Sequence, residues 1–340
     1  MMRTIDWVDE AIEIVDQTEL PGSLKIERIT TLETLITAIQ RLAVRGAPAL
    51  GVAGALGVAL IARSGRNLEE VRTDAARLRA ARPTAVNLSW GVDRATTKLT
   101  EGADAVLLEA LKVRDEDLAA CISMGLHGAD LLRSLVPDRD IRIMTICNTG
   151  GLAAVERGTA LGVAQTVFEQ GWLNEVIPLE TRPLLQGSRL TAWELQQMGA
   201  PFRLIVDAAA PFLLSRGYAD AVLIGADRIA ANGDTANKVG SFSLALAAKY
   251  AGVPFIVVAP ESTVDMGTAT GADIEIEDRG PAEVTNFGAR PTAPEGTQTF
   301  NPAFDVTPHE LITAIVTDER VIHLPSGECL STTPRTARRS

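Results

Sequence analysis

From Val136 onward, short apolar runs alternate with longer stretches of helical periodicity, a rhythm that few folds accommodate. The turn VPDRD opens the region. IRIMTIC (Ile141–Cys147) precedes a helical pattern over Leu152–Gln170, and Glu175–Leu179 precedes LTAWELQQMG. FRLIVD (Phe202–Asp207) precedes AAPFLLSRG, AVLIGAD (Ala221–Asp227) precedes a helix expected from about Asn237 to Ala251, and PFIVVAP (Pro254–Pro260) follows. Strands that alternate with helices argue for a parallel sheet with helices on both faces, an α/β fold.

The first ~130 residues have a different rhythm. LETLITAIQRLAV and VRTDAARLRAAR carry apolar residues at three- and four-residue spacings, as helices do. Between them Gly46–Ala62 is uncharged and rich in Gly and Ala. At 17 residues it falls short of the ~20 that span a bilayer and reads as a helix packed tightly inside the protein. Ile5–Val15 and Leu24–Ile29 suggest a small opening sheet. With 340 residues and a usual domain size of about 100–200, two domains are expected, 1–135 mainly helical with a small sheet and 136–340 α/β. The tail STTPRTARRS reads as frayed.

The net charge of −11 argues against nucleic acid or an anionic membrane as partner, while leaving room for a local basic pocket. Cys121, Cys147 and Cys329 share no CxxC spacing, so neither a disulfide framework nor a zinc cage is expected, and a reducing cytoplasm fits. His127, His309 and His323 show no metal-ligand spacing. The acidic N-terminal stretch lacks a signal peptide's apolar core. No strand-like run leads into GVAGALG, and no Walker or G-x-S-x-G motif is present, which counts against a dinucleotide enzyme.

In open α/β sheets, ligands bind beyond the carboxyl ends of the strands. Those ends carry Cys147 with Asn148-Thr149-Gly150-Gly151, then Glu180 to Gly187 including Gln186, then Asp207, then Asp227-Arg228. Asn237-Lys238 would open the next helix. A thiol, carboxylates, amides and a lysine thus converge on one rim. Each also has a structural reading. Cys147 is balanced between a packed core thiol and a group facing a ligand over its glycine turn. Asp227 could cap a turn, and Asp234 is read as a turn residue. Lys238 is unfavourable at a helix start unless an anion sits there. Arg45-Gly46-Ala47-Pro48 shows the same pattern at a helix start. For Arg82 alone a surface charge is the simpler reading, and Trp90 is expected in the core.

Together, VRGAPALG, RPTAVNL, ICNTGGLA, GTALGV, ETRPLLQGSRLTAWEL, GADRIAANGDTANKVG, PFIVVAPEST, TAPEG and NPAFDVTP resemble the S-methyl-5-thioribose-1-phosphate isomerase family over residues 44 to 308. The resemblance implies a helical N-terminal domain, a Rossmann-like C-terminal domain, a homodimer, no metal or organic cofactor, and a sugar phosphate substrate in methionine salvage. Carried over by position, it implies Asp227 as acid/base, Cys147 as essential cysteine, and Arg45, Gly46, Ala47, Arg82, Gln186, Asn237 and Lys238 as substrate contacts. Val155-Glu156-Arg157, Ser89-Trp90-Gly91 and Leu179 depart from the family pattern away from these positions. Two other activities are compatible with the fold: isomerisation of ribose 1,5-bisphosphate or 5-deoxyribose 1-phosphate, and a non-catalytic regulatory role like that of exchange-factor subunits. A scaffold has no need of the whole residue set.

Overall fold

The computed structural model of the chain describes residues 2–83, 85–137 and 139–331. Thr84, Asp138 and the tail from residue 332 lie outside it. The N-terminal part opens with an antiparallel sheet, β1 (Ile5–Val8), β2 (Ala11–Val15) and β3 (Ile26–Ile29), followed by α1 (Leu32–Gln40), α2 (Ala47–Ala62), α3 (Leu68–Arg79), α4 (Val86–Thr96) and α5 (Ala103–Leu135). As its composition requires, α2 is buried on nearly all sides. Its small residues let neighbours approach to backbone contact. A Cβ added at Gly91 on α4 would lie 1.9 Å from the Gly51 carbonyl oxygen on α2.

The remainder builds sheets of six, four and two strands. Its elements are β4 (Ile141–Thr145), α6 (Ala160–Glu169), β5 (Leu173–Pro178), α7 (Ala192–Met198), α8 (Ala210–Ser215), β6 (Ala221–Ile224), β7 (Arg228–Ala230), β8 (Thr235–Lys238), α9 (Ser241–Ala251) and β9 (Phe255–Val258). Then come β10 (Val264–Asp265), α10 (Ala282–Thr285), β11 (Asn286–Phe287), β12 (Arg290–Pro291), β13 (Phe304–Thr307), β14 (Ala314–Val316) and β15 (Val321–Ile322). The main sheet has the order β15-β14-β9-β6-β4-β5 and is parallel except for β15.

Alternate residues of each main-sheet strand point to opposite faces. Leu223, Ile256 and Val316 join a core with α5 and α6, while Val222, Val257 and Ile315 join one on the α8 and α9 side. Covering both faces lets these strands be apolar throughout. α5 serves two cores: Val106, Ala110 and Val113 pack in the N-terminal cluster, and Met124, Ala129 and Leu132 pack on the sheet. The four-stranded second sheet, β10-β7-β8-β13, stands beyond the carboxyl end of β6.

Four sequence expectations are corrected. Thr235–Lys238 is a strand, and α9 begins only at Ser241. Pairing of β8 with β13, about 65 residues downstream, overrides the local helical pattern; Phe304 lies opposite Lys238. Helix α6 begins at Ala160 rather than Leu152, because Gly150 pairs with Gly158 and closes the segment between them into a loop. Phe202–Asp207 pairs with the β5 edge only at Val176–Phe202 and Leu179–Ile205, its Leu204 and Val206 side chains facing outward with no layer to cover them. Trp90 is 36% exposed on α4, with the Arg94 guanidinium 5.5 Å from its ring.

Gly91→Ala tests the α2–α4 contact. Helix propensity alone favours Ala by about 1 kcal/mol, but overpacking against an immovable carbonyl costs about 1–3 kcal/mol or more. The variant should therefore be less stable by urea denaturation. Equal or greater stability would mean the helices are not in backbone contact.

Candidate active site

The loops beyond the carboxyl ends of β4 and β6 face the N-terminus of α2. A cleft of about 670 Å³ opens between them, lined from the N-terminal part by Leu42, Arg45–Pro48 and Arg82. The sheet side contributes Cys147–Thr149, Gln186, Asp227, Asn237, Lys238, Arg279 and Phe304. The structure thus brings together the residues that the resemblance implies for the site, Arg45, Gly46, Ala47, Arg82, Cys147, Gln186, Asp227, Asn237 and Lys238. Asp207 does not join them. Its carboxylate accepts the Thr181 and Arg182 amides at 2.8 and 2.7 Å and holds that turn from the other side.

Backbone geometry explains the glycine turns. Gly46, at φ 94°, presses on the loop after β4; a Cβ there would lie 2.4 Å from the Ala153 carbonyl oxygen. Cys147 itself is left-handed, at φ 66°, a conformation that costs a non-glycine residue of order 1–3 kcal/mol and persists only when its surroundings enforce it. Here the Cys147 N–H donates to Thr181 Oγ1 at 2.9 Å and its carbonyl accepts from Thr191 Oγ1 at 2.6 Å. The buried Arg45 guanidinium donates to Gln17 Oε1 at 3.2 Å and, through Nη2, to Asn148 O and Oδ1 at 2.9 and 2.6 Å; its Nη1 lies 3.7 Å from Cys147 Sγ.

The cleft is cationic inside an acidic protein. Arg45, Arg82, Lys238 and Arg279 line it with one carboxylate, Asp227. Arg279 is tied to Glu277 and Glu283, and Arg82 to Glu277. Lys238 is 5% exposed, donates to Ala303 O at 2.6 Å and sits 4.5 Å from the Phe304 ring centre. Burial lowers its hold on the proton; Cys147 and Asp227 counter this, and the neighbouring arginines add to it. Asp227 opens to the cleft but is otherwise walled in by protein. Burial raises its pKa, against the pull of Lys238, Arg82, Arg45 and Arg279. Two helix N-termini, those of α2 and α6, reach the cleft through Gly46–Pro48 and Gly158–Thr159. Such termini favour an anion. Gln186 is 4% exposed, lines the cleft and leaves Oε1 without a hydrogen-bond partner.

Sequence reasoning placed Asn148 on the rim but not its contact with Arg45, and missed Arg279, Phe304 and Glu194 as parts of this construction. Phe304 lies in NPAFDVTP, so its stretch was visible though its contact was not. The loop around Arg279 carries no local signal. Asp234, read as structural, accepts from Asn232 Nδ2, the Gly271 and His309 amides, and His309 Nδ1. With Glu310 these form the group among the described residues whose spacing would suit a metal, although Asp234 is fully engaged as a staple between loops. No helix among the described residues is long and apolar enough to cross a membrane.

The comparisons agree on one family. The model of the Initiation factor 2 subunit family matches residues 43–323. A probable bifunctional methylthioribose-1-phosphate isomerase/methylthioribulose-1-phosphate dehydratase of Nocardia farcinica is 49% identical over 95% of the chain, which spans 60% of that protein's length. A 5-deoxyribose 1-phosphate isomerase of Moorella thermoacetica is 48% identical over 94% of each chain. The crystal structure of 5-methylthioribose 1-phosphate isomerase from Pyrococcus horikoshii OT3 superposes with a TM-score of 0.87 at 40% identity, covering 96% of this chain and 93% of that one.

Asp227→Asn tests the electrostatics. A carboxyl whose folded pKa is raised holds its proton more tightly folded than unfolded. Ionising it therefore costs stability as pH climbs from the unfolded value of 3.8 through the folded one. The variant should melt about 1–3 °C higher than wild type at neutral pH, with the gain fading below about pH 4. A lower melting temperature at neutral pH would show that ionised Asp227 is a net stabiliser.

Proposed function

The chain belongs to the Initiation factor 2 subunit family, and from that premise we propose that it is an aldose–ketose isomerase converting 5-methylthioribose 1-phosphate to 5-methylthioribulose 1-phosphate. The observation that carries this reading is the shared cleft of Asp227, Cys147 and four cationic side chains. A regulatory scaffold has no use for a buried lysine, a carboxyl raised by burial and a strained cysteine in one pocket.

The phosphate on the anomeric carbon blocks spontaneous opening to a free aldehyde. The enzyme must break the bond between C1 and the ring oxygen and move hydrogen from C2 to C1. Asp227, its proton held more tightly by burial, donates to the ring oxygen as that bond breaks, and its carboxylate takes the C2 hydroxyl proton as C2 becomes the ketone. Cys147 acts on the hydrogen at C2. Lys238, Arg82 and the Gly46-Ala47 turn at the start of α2 hold the phosphate, with Gln186 and Asn237 on the sugar. Arg45 contributes charge. Four of its five N–H donors are engaged by protein, so its main work is on Cys147 and Asn148.

Beside Asp227, a recess whose apolar wall is Leu50, Ala85, Val86 and Phe304, with Arg82 and Asn87 on its polar side, offers that wall to an apolar C5 substituent. A methylthiomethyl and a methyl both fit that description. The name of the Moorella relative supports use of 5-deoxyribose 1-phosphate as a second activity. We also propose the division at 135/136 into an N-terminal and a Rossmann-like unit, a cytoplasmic setting, and a homodimer. The exposed side chains of Phe212 on α8 with Phe242, Leu246 and Tyr250 on adjacent α9 support the dimer.

Assay against ribose 1-phosphates that differ only at C5 tests the substrate. The methylthio compound should give the highest kcat/KM, 5-deoxyribose 1-phosphate should turn over, and ribose 1,5-bisphosphate should be the poorest. Preference for the bisphosphate would overturn the apolar-recess reading. In the same assay Cys147→Ser and Asp227→Asn should each lower kcat about 10²-fold or more, and the double variant should be little worse than the worse single. A Cys147→Ser protein with normal kcat would return the thiol to a packing role.

A further inference from the structure

Cys147 is held at both ends of one closed ring of hydrogen bonds. Its carbonyl accepts from Thr191 Oγ1 at 2.6 Å, and Thr191 Oγ1 accepts from Asn148 Nδ2 at 3.3 Å. Asn148 Oδ1 accepts from Arg45 Nη2 at 2.6 Å, and Arg45 Nη1 reaches back to Cys147 Sγ at 3.7 Å. The ring works in only one sense. Asn148 must turn its oxygen toward the guanidinium, which has donors alone, and its NH₂ the other way.

A buried acid sets that sense. Glu194 on α7 is 5% exposed; its Oε1 accepts from Asn148 Nδ2 at 2.6 Å and its Oε2 from the Leu152 amide at 3.3 Å. Both oxygens are thus committed to N–H donors. Nothing in packing requires an ionisable group here, and burial raises this carboxyl's pKa. An acceptor on both sides is what a carboxylate supplies and an amide does not.

We propose that Glu194 is a positioning residue for the reaction: by fixing the orientation of the Asn148 amide it keeps the Arg45 guanidinium on the Cys147 sulfur. This rests on Cys147 being catalytic, the reading given above. With Gln at 194, one N–H donor must face another. The relief available is a turn of the Asn148 amide, which puts its NH₂ against Arg45 and releases the guanidinium from the sulfur.

The test is alkylation of Cys147 by iodoacetamide across pH, followed by mass spectrometry of the Cys147 peptide so that the more accessible Cys329 does not interfere. Arg45, Lys238, Asp227, Arg82 and Arg279 also line this cleft and stay unchanged in the variants. In Glu194→Gln, alkylation at neutral pH should slow about fivefold, because the sulfur loses its guanidinium partner. kcat should fall about tenfold with KM within about threefold. Glu194→Gln/Asn148→Asp moves the carboxylate one residue along the ring and again presents an acceptor to Arg45, so it should recover both. If Glu194→Gln does not fold, Asn148→Ala removes the same acceptor and should slow alkylation likewise.

Faster alkylation in Glu194→Gln would mean that only a negative charge was removed, and would overturn the proposal. So would a lower melting temperature with unchanged alkylation and kinetics, or a double variant no better than the single. Slowed alkylation with unchanged kcat would uphold the positioning of the sulfur and count instead against Cys147 as a catalytic group.

Discussion

Arg45 ties the two halves of the molecule together at the one place where chemistry is expected. It comes from the turn before α2, yet its donors go to Asn148 and Cys147 beyond β4 and to Gln17 after β2. A buried guanidinium is stabilised only when its donors are paired. Those partners are available only when the N-terminal helices sit over the carboxyl ends of the sheet. Gly46 permits the approach, because any side chain there would strike Ala153. The closure of the cleft, with Arg45 and Arg82 facing Lys238 and Arg279, follows from this docking.

The same docking makes the site costly to fold and useful once folded. Burial opposes the charges of both Lys238 and Asp227, and each offsets part of the other's cost. Arg82 and Arg279 are held by Glu277 and Glu283, which do not line the cleft, so Asp227 is the carboxylate that faces four cations inside it. The protein as a whole repels anions at −11. On the proposed function, the local cluster and two helix N-termini carry the recognition of a phosphorylated sugar.

Much of this was legible in the sequence for physical reasons. Short apolar runs alternating with helical patterns marked the strands of a sheet buried on both faces, and the Gly/Ala stretch of α2 declared a tightly packed buried helix. The rim residues could be named because strand ends carry ligands in such sheets. What failed were features decided by distant pairing. TANK reads as a helix start until β13 pairs with it, and FRLIVD reads as a strand though only its inner residues find a partner. Trp90 looked like core because it is large and apolar; its surface position under Arg94 depends on how α4 lies on α2. Glu194 lies in the stretch ETRPLLQGSRLTAWEL, but its role was not legible there, since its meaning lies in which donors the fold points at it. Arg279 reaches the cleft from a loop and Phe304 from the start of β13, both placed by the second sheet rather than by a local pattern.

The central claim is that one cleft, built by both halves of the chain, holds a sugar phosphate between Cys147 and Asp227. It is tested most directly by a crystal structure of the Cys147→Ser protein with 5-methylthioribulose 1-phosphate. The account predicts the phosphate on the Gly46-Ala47 turn with Lys238 and Arg82, C1 and C2 between residue 147 and Asp227, and the methylthio group in the recess of Leu50, Val86 and Phe304. A sugar phosphate bound away from Asp227, or with its phosphate remote from both the α2 start and Lys238, would contradict it.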